Sequence, residues 1–292
     1  MRMPETTARA EGVLLADKPA GMTSHDVVAV ARRSLGIRRV GHTGTLDPFA
    51  TGLLVLLVGQ ATRLARFVDD EPKVYDATIE FGAETDTDDL TGTIVRTAEA
   101  PGPEQVDAAI QALTGTVRQV PPAFSAKKLG GQRAYAAARA GAPLALQAVE
   151  VKVHEWRIRA RSARALDVTI TCDGGTYIRA LARDLGRLTL SAARLSSLRR
   201  IRSGTFDVGD ALTVADLQGG AAQLRGSRAA IPEMAVQLLD AAEVELVRHG
   251  RPVRARSHGA TIALVDGTGE LAGIAERRGD LLHPCIVMQH ER

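Results

Sequence analysis

Apolar and polar positions follow two spacings along the N-terminal part of the chain, and each spacing predicts a type of element. The run "GVLLADKP" predicts a strand that ends at Pro19, and "LLVLLVG" predicts a fully buried strand. In "SHDVVAVARRSLG" the apolar residues recur at helical intervals, so this segment predicts a helix that Ser24 caps and Gly36 stops. "VYDATIEFG" alternates between apolar and polar residues, which is typical of a half-buried strand.

The same patterns continue to about residue 210 and indicate the fold class. The strands "VEVKVHEWRIRA" and "ALDVTITC" are joined by "RSAR", and "GTIV" is a shorter strand. The predicted helices are "ATRLARFVDD", "PEQVDAAIQALTG", "RAYAAARAG" and "GGTYIRALARDLGRL". Because strands cluster in the middle and helices are scattered, we expect an α+β fold with a mixed, mainly antiparallel central sheet and flanking helices.

A change in composition at residues 219–233 predicts a domain boundary. This stretch, "GGAAQLRGSRAAIPE", mixes small residues, charges and a proline. Beyond it, "AEVELVRHGRPV", "ATIALVDGTGELAGIAER" and "HPCIVMQ" predict short strands between glycine-containing turns, which fits a small β-barrel. We therefore expect a flexible N-terminus (1–11), a first domain (12–218) and a C-terminal barrel (234–292).

Several features point to a cytoplasmic protein without a membrane segment. The start "MRMPETTARAEG" lacks the apolar core of a signal peptide, and no apolar run reaches the roughly 18 residues that span a bilayer. Cys172 and Cys285 lie far apart and outside any metal-type spacing, which favours reduced cysteines. No amphipathic seam stands out, so we expect a monomer.

The net charge of +3 conceals a strong asymmetry along the chain. Residues 68–117 carry twelve acidic against two basic residues, whereas residues 118–202 carry seventeen basic against five acidic residues. A block this basic suits a polyanion such as a nucleic acid, because Lys and Arg displace counterions from phosphates. The alternative is a solvent-exposed basic face whose positive charge is balanced by acidic residues elsewhere in the chain.

The segment "GHTGTLDPFATG", residues 41–52, places the acid Asp47 among three glycines directly before a buried strand. Its carboxylate is a candidate for chemistry, with His42 nearby, although an Asp before Pro often only caps a turn.

The stretch "DTDD" lacks the glycine of a Ca²⁺ loop, so we expect a solvated turn there and no metal site. Taken alone, Tyr75 indicates an ordinary core position, and "GTYIR" predicts an ordinary helix start.

Six segments follow one another in order over about residues 12–210: "GVLLADKPAGMTSHDVV", "GHTGTLDPFATGLLVLLVGQATR", "KVYDATIEFGAETDTDDLTG", "QVPPAFSAKKLGGQRAYAAARAG", "CDGGTYIRALARDLG" and "LRRIRSG". Taken together, these segments resemble the TruB family of tRNA pseudouridine-55 synthases. The tail, "LVRHGRPVR" with "IALVDGTGELAGIAE", resembles the RNA-binding PUA domain of many bacterial members. The resemblance implies the pseudouridine synthase fold, with a PUA-like barrel after it.

The resemblance also implies a reaction and a catalytic residue. The family's acid lies in the motif that here is "GTLDP", so it corresponds to Asp47. The reaction detaches uracil from C1′ of its ribose, turns it and rejoins it through C5, and needs no cofactor. Asp47 could attack C1′ as a nucleophile or act as a base on the sugar, giving a glycal-type intermediate, and the sequence leaves both routes open.

Other residues take roles from the same resemblance. Tyr75 corresponds to the tyrosine that stacks on the target base and helps to deprotonate C5. Arg179 corresponds to the arginine that pairs with the acid and keeps it ionised. Tyr177 and Leu198 are expected to line the pocket.

The expected partner is tRNA, bound at its T-stem-loop and, through the tail, along its acceptor arm. Lys18 is expected to support the Asp47 loop, and His42 to stack against RNA bases when the target base turns out of the T-loop. A Gly-rich, basic insertion near 119–143 is expected to bind RNA. No obligate protein partner is evident, and a role in tRNA folding alongside catalysis is compatible with the sequence.

Two departures from the family pattern and two alternative functions stand beside this interpretation. Ser191-Ala192-Ala193 and Leu146-Gln147 replace residues that relatives use near the RNA, which affects the expected RNA affinity rather than the reaction type. One alternative is a non-catalytic protein that binds or folds RNA on the same scaffold. The other is an unrelated hydrolase that uses Asp47 and His42 as an acid–base pair.

Overall fold

The structure is a computed structural model that describes residues 11–68, 70–125 and 144–288, with isolated positions at 128, 129, 132, 133, 137 and 142. The helices are α1 Ser24–Leu35, α2 Pro103–Ala112, α3 Ile178–Leu188, α4 Val214–Gln218 and α5 Ala241–Arg248. Most of the predicted helix "RAYAAARAG" and nearly all of the predicted flexible N-terminus lie outside the described residues.

Short strands make up most of the remaining regular structure. In chain order they are β1 Gly12–Lys18, β2 Val40–Thr43, β3 Thr51–Val58, β4 Lys73–Phe81, β5 Ala83–Thr85, β6 Ile94–Thr97, β7 Gly115–Gln119, β8 Lys128–Leu129, β9 Gln132–Arg133, β10 Val149–Arg161, β11 Ala165–Cys172, β12 Ala193–Ser203, β13 Phe206–Asp207, β14 Leu212–Thr213, β15 Val236–Leu238, β16 Val253–Arg254, β17 Thr261–Val265, β18 Leu271–Arg278 and β19 Leu281–Val287. None of the helices in the described part of the chain has the length and apolar character needed to span a bilayer.

The chain divides into two compact units. The central unit comprises residues 47–53 and 70–209, and the terminal unit comprises the described residues of 1–46, 54–69 and 210–292. The domain limits expected from composition remain a prediction.

The central unit is built on an antiparallel sheet that β12 joins to the start of β3. Its strand order is β3-β12-β4-β11-β10-β7, and only the β12–β3 pair is parallel. In β4 every second residue from Tyr75 to Phe81 is buried, and helix α3 packs against β12. The expected α+β class with a mixed, mainly antiparallel sheet is confirmed. Strand β12 lies between β3 and β4, a position that the sequence pattern did not single out.

The terminal unit contains the first predicted helix, and its cap differs from the prediction. Thr23, not Ser24, is the N-cap of α1: its side chain accepts from the N–H of Asp26, and the Asp26 carboxylate accepts from the N–H of Thr23. This reciprocal pair satisfies two N–H groups, and the Ser24 side chain bonds elsewhere. Gly36 ends the helix in the left-handed conformation, as predicted.

Two further segments differ from the predicted elements. "ATRLARFVDD" was expected to be a helix, but the regular structure there is a 3₁₀ turn over Gly59–Leu64. "AEVELVRHGRPV" was expected to be a strand, but it contains α5, which Asp240 caps through the N–H of Glu243. The expected strand is wrong here because the capping box of Asp240 and Glu243 starts a helix.

The C-terminal strands form a curled, open sheet of order β15-β17-β18-β19-β16. Its two edge strands are joined by the buried side chain of Gln237 on β15. The Gln237 amide donates to the carbonyl of Arg254 at 2.8 Å and accepts from the N–H of Arg256 at 2.7 Å. The expected barrel is therefore a half-barrel whose edges are bridged by a side chain instead of a strand ladder.

Gly52 lies where β3 runs alongside β12, and a side chain there has no space. Its φ is +102°, and a Cβ atom would lie 2.3 Å from the carbonyl oxygen of Arg200. We expect Gly52→Ala to lower the free energy of unfolding by about 3 kcal/mol or more, because the backbone of β12 must shift. The control is Gly21→Ala, at φ +84° with no atom within 4 Å, which should cost only about 1 kcal/mol. Equal losses in denaturant titrations would contradict the steric argument.

Candidate active site

The loop that carries Asp47 is fixed on both sides of the acid. The buried hydroxyl of Ser24 accepts from the N–H of Leu46 at 2.9 Å and donates to the Leu46 carbonyl at 3.2 Å. After the acid, the N–H of Ala50 donates to the Asp47 carbonyl at 3.1 Å, which closes a turn through Pro48. The Asp47 side chain is about one-third exposed, at 35%. The carboxylate is thus presented at a defined position that a substrate can reach.

Arg179, in the first turn of α3, binds this carboxylate through a two-pronged contact of two hydrogen bonds. Its Nε donates to Oδ2 of Asp47 at 2.8 Å and its Nη2 donates to Oδ1 at 3.1 Å. The other N–H groups donate to the carbonyls of Thr87 at 2.7 Å and Phe124 at 2.9 Å, and Asp89 lies 3.5 Å away. The guanidinium is buried, with 4% of the side chain exposed, and it makes four hydrogen bonds and an ion pair with Asp89.

Helix α3 presents a row of three arginines, Arg179, Arg183 and Arg187, to the acidic segment before it in sequence. The spacing of four residues places all three on one helix face. Arg183 pairs with Asp88 at 2.9 Å, and Arg187 pairs with Glu84. The row therefore binds the 84–89 segment along its length, with the Arg179–Asp47 pair at one end.

Burial and the arginines have opposite effects on the pKa values of these acids. Burial raises the pKa of Asp88 to about 6, and the nearby charges of Arg183 and Arg179 only partly oppose this rise. Burial also acts to raise the pKa of Glu84, but hydrogen bonds and charges from Arg187 and Arg96 outweigh it and leave this pKa below its usual range.

The expectation of a solvated turn at "DTDD" is wrong. Asp88 and Asp89 are buried, at 5% and 3% exposure, because Arg183 and Arg179 on α3 supply the charge partners that the loop lacks. In the described ranges no group of three or more His, Cys, Asp or Glu side chains is arranged to hold a metal ion. Part of the charge asymmetry along the chain is thus internal pairing between an acidic loop and a basic helix.

Tyr75, Leu198 and Arg200 share one face of the central sheet. On β4 and β12, Tyr75 lies opposite Arg200 and Leu198 lies opposite Ala77, so these side chains project to the same side. All are buried, and the Nε of Arg200 donates to the carbonyl of Leu53 at 2.8 Å. Burial raises the pKa of Tyr75, the charge of Arg200 opposes this, and the charge of Asp47 adds to it.

The remaining predicted site residues lie in known local environments, and their roles stay predictions. Tyr177 is the N-cap of α3, and its backbone is bound by the side chain of Gln119. In the terminal unit, the buried amine of Lys18 donates to the carbonyls of Met22 and Pro19. The half-buried ring of His42 packs edge-on against His25, with centroids 5.5 Å apart. About half of the predicted insertion near 119–143 lies outside the described residues.

Four residues of this arrangement were missed from the sequence: Ser24, Asp89, Gln119 and Arg200. Ser24 was interpreted as a helix cap, and Asp89 as part of a solvated turn. The arginine spacing of four in "YIRALARDLGR" was the available signal, since three cations on one helix face repel one another and favour acidic partners nearby. Gln119 and Arg200 carry no local signal, because their partners are Tyr177, Leu53 and Tyr75, which are distant in sequence.

Comparison with known proteins identifies relatives over nearly the whole chain. Residues 32–178 match the model described as TruB family pseudouridylate synthase (N terminal domain). The protein named tRNA pseudouridine synthase B from Thermobifida fusca is 43% identical over 288 residues, which are 95% of this chain and 98% of the relative. A protein of the same name from Leifsonia xyli is 42% identical, over 92% of this chain and 93% of the relative.

Solved structures share the fold at low sequence identity. The archaeal box H/ACA sRNP Nop10–Cbf5 complex has a chain with TM-score 0.73 and 21% identity, covering 99% of this chain and 90% of that one. An H/ACA RNP bound to a substrate RNA containing 2′-deoxyuridine has a chain with TM-score 0.72 and 21% identity, covering 96% of this chain and 86% of that one. The expected pseudouridine synthase fold is confirmed.

Proposed function

The chain belongs to the TruB family of pseudouridine synthases, and from this premise we propose that its target is uridine 55 in the T-loop of tRNA. Its reaction is the isomerisation of uridine to pseudouridine in tRNA. The observation that carries the proposal is identity of about 40% over nearly the full chain, together with an acid in "GTLDP" that a buried arginine holds. An unrelated hydrolase loses its support, because it accounts for neither the similarity nor the arginine contact.

The reaction requires the N1–C1′ bond to break and a C5–C1′ bond to form, with the C5 proton lost and a proton gained at N1. We assign the step at the sugar to Asp47. The guanidinium of Arg179 fixes the plane of its carboxylate, and the one-third exposed acid can approach C1′. Attack on C1′ and removal of a ribose proton both use this position, so both routes remain open.

We assign Tyr75 to contact with the uracil of the target nucleotide. Because burial raises its pKa, its hydroxyl is protonated at neutral pH. A protonated phenol can stack on uracil, and it can accept the C5 proton only if it releases its own proton in the same step. Leu198, on the same sheet face, supplies apolar contact, and Tyr177 lines the approach.

Affinity for tRNA is assigned to other surfaces, because phosphate contacts position a nucleic acid without performing chemistry. In the tail, Arg256 is held by Glu243 and the carbonyl of Leu238, and Arg248 pairs with Glu245. Arg251 and Arg254 are exposed, and neither side chain has an ion pair within the described residues. We assign these two arginines to the acceptor arm of tRNA, and the curled sheet to a PUA-like module. A cytoplasmic location and a monomer, both predicted from the sequence, fit this role.

Replacing Asp47 by Asn should abolish chemistry and leave tRNA binding nearly unchanged. We expect the single-turnover rate to fall about 1,000-fold or more, because the step at the sugar needs a carboxylate. The rate is followed as tritium released from C5-labelled uridine in tRNA, and affinity by filter binding. The control is Asp107→Asn, which removes an exposed acid that pairs with Arg161 and should leave the rate unchanged. Near-normal turnover by Asp47→Asn would contradict the assignment.

Removing Arg251 and Arg254 together should weaken binding of whole tRNA and reduce the slope of log affinity against log salt by about 2. A T-arm hairpin, which cannot reach the tail, should be bound and modified as by the wild type. The control Arg256→Ala removes the same charge from a side chain that Glu243 already holds, so it should lower stability and leave the salt slope unchanged. Equal losses on hairpin and whole tRNA would refute a separate contact to the acceptor arm.

A further inference from the structure

Gln119 is the last residue of β7, is fully buried, and directs its side-chain amide at the backbone of Tyr177. Its Oε1 accepts from the N–H of Tyr177 at 2.8 Å, and its Nε2 donates to the Tyr177 carbonyl at 3.1 Å. Donor and acceptor of one side chain therefore bind the donor and acceptor of one residue, as a neighbouring strand would. This contact joins segments that are 58 residues apart in sequence.

Tyr177 is a position that needs external support. It is the N-cap of α3 in an extended conformation, with φ −97° and ψ 107°, and it has no side-chain cap. The chain enters it from Gly174 and Gly175, of which Gly175 has φ +82°. Glycines do not restrict the backbone, and an uncapped helix start leaves N–H groups without partners. The Gln119 amide fixes the point at which α3 begins.

The start of α3 determines where the guanidinium of Arg179 lies. Arg179 follows Tyr177 by two residues, so a shift of the helix start moves the two N–H groups of Arg179 that donate to Asp47. The segment after Gln119 reinforces the same register. The Val120 carbonyl accepts from Nη2 of Arg183 at 2.8 Å, and the Phe124 carbonyl accepts from Nη2 of Arg179 at 2.9 Å.

We propose that Gln119 is a positioning residue for the isomerisation, which acts through Tyr177 and Arg179 to orient the carboxylate of Asp47. This inference rests on the function proposed above. Gln119 performs no chemistry, because its amide is occupied by the backbone of Tyr177. A misplacement of about 1 Å at a reacting group can cost roughly 100-fold in rate, so loss of the contact should appear in the chemical step rather than in binding.

The first test replaces the amide by a side chain of similar shape without hydrogen bonds. Gln119→Met should lower the single-turnover rate on a T-arm hairpin by roughly 10- to 100-fold and change the dissociation constant less than about 2-fold. The matched control is Gln237→Met, since Gln237 is also buried and also bridges backbone groups, but in the half-barrel. Gln237→Met should lower the melting temperature and leave the hairpin rate unchanged. A normal rate for folded Gln119→Met would overturn the proposal.

The second test asks whether Gln119 acts through Arg179. If it does, the double variant Gln119→Met, Arg179→Lys should be no more than about 3-fold slower than Arg179→Lys alone. The reason is that Arg179→Lys has already removed the two-pronged contact with Asp47 that Gln119 would orient. Multiplying losses would overturn the proposal, since they would indicate that the two residues act independently.

A third variant applies even if Gln119→Met does not fold. In Gln119→Glu the ionised carboxylate can accept from the N–H of Tyr177 but cannot donate to its carbonyl, whereas the protonated acid can do both. Burial favours the protonated form. The rate of Gln119→Glu relative to wild type, measured at each pH, should therefore rise toward 1 as the pH falls from about 8 to about 5.5. A ratio that does not change with pH would overturn the proposal.

These outcomes are separable from the proposed function. Wild-type protein that forms no pseudouridine in tRNA contradicts the proposed function. Active wild-type protein together with a fully active Gln119→Met variant contradicts only the role of Gln119.

Discussion

A buried guanidinium requires hydrogen-bond acceptors and a compensating negative charge, and several segments of the central unit supply both to Arg179. Asp47, Thr87, Phe124 and Asp89 converge on it from three segments of the chain. Because an unpaired buried cation is strongly unfavourable, these segments are held together as long as Arg179 stays buried. The contact that places the acid is therefore also a contact that organises the surrounding loops.

The arginine row on α3 extends this arrangement along the helix. Arg183 and Arg187 hold the acidic segment that supplies Thr87 and Asp89 to Arg179. Buried ion pairs contribute little net stability, since desolvation offsets their attraction, but a loop position that separated the partners would leave an uncompensated buried charge, which is strongly unfavourable. The raised pKa of Asp88 reflects this cost. We infer that the two buried members of the row, Arg179 and Arg183, define one position for the loop, and with it the environment of Asp47.

The fold class and the longer strands other than β12 could be predicted from the sequence, because apolar spacing is a local signal, and the resemblance to the TruB family singled out Asp47. Contacts that connect distant segments could not. The sequence predicts Ser24 as a helix cap, but the cap is Thr23. The hydroxyl of Ser24 instead accepts from the N–H of Leu46, the residue before Asp47. Asp88 and Asp89 looked solvated because their arginine partners lie about 95 residues later. Helix α5 was predicted as a strand, although the capping box of Asp240 and Glu243 is a local helix signal.

We propose that the two-pronged guanidinium of Arg179, and not only its positive charge, holds Asp47 in the reactive position. Arg179→Lys keeps the charge and loses the two-pronged geometry. The decisive measurement is its single-turnover rate and dissociation constant on a T-arm hairpin, beside Arg187→Lys, which makes the same change at the exposed end of the row. We predict a rate about 100-fold lower for Arg179→Lys, affinity within about 3-fold of wild type, and near-normal values for Arg187→Lys. A wild-type rate for Arg179→Lys would contradict the account.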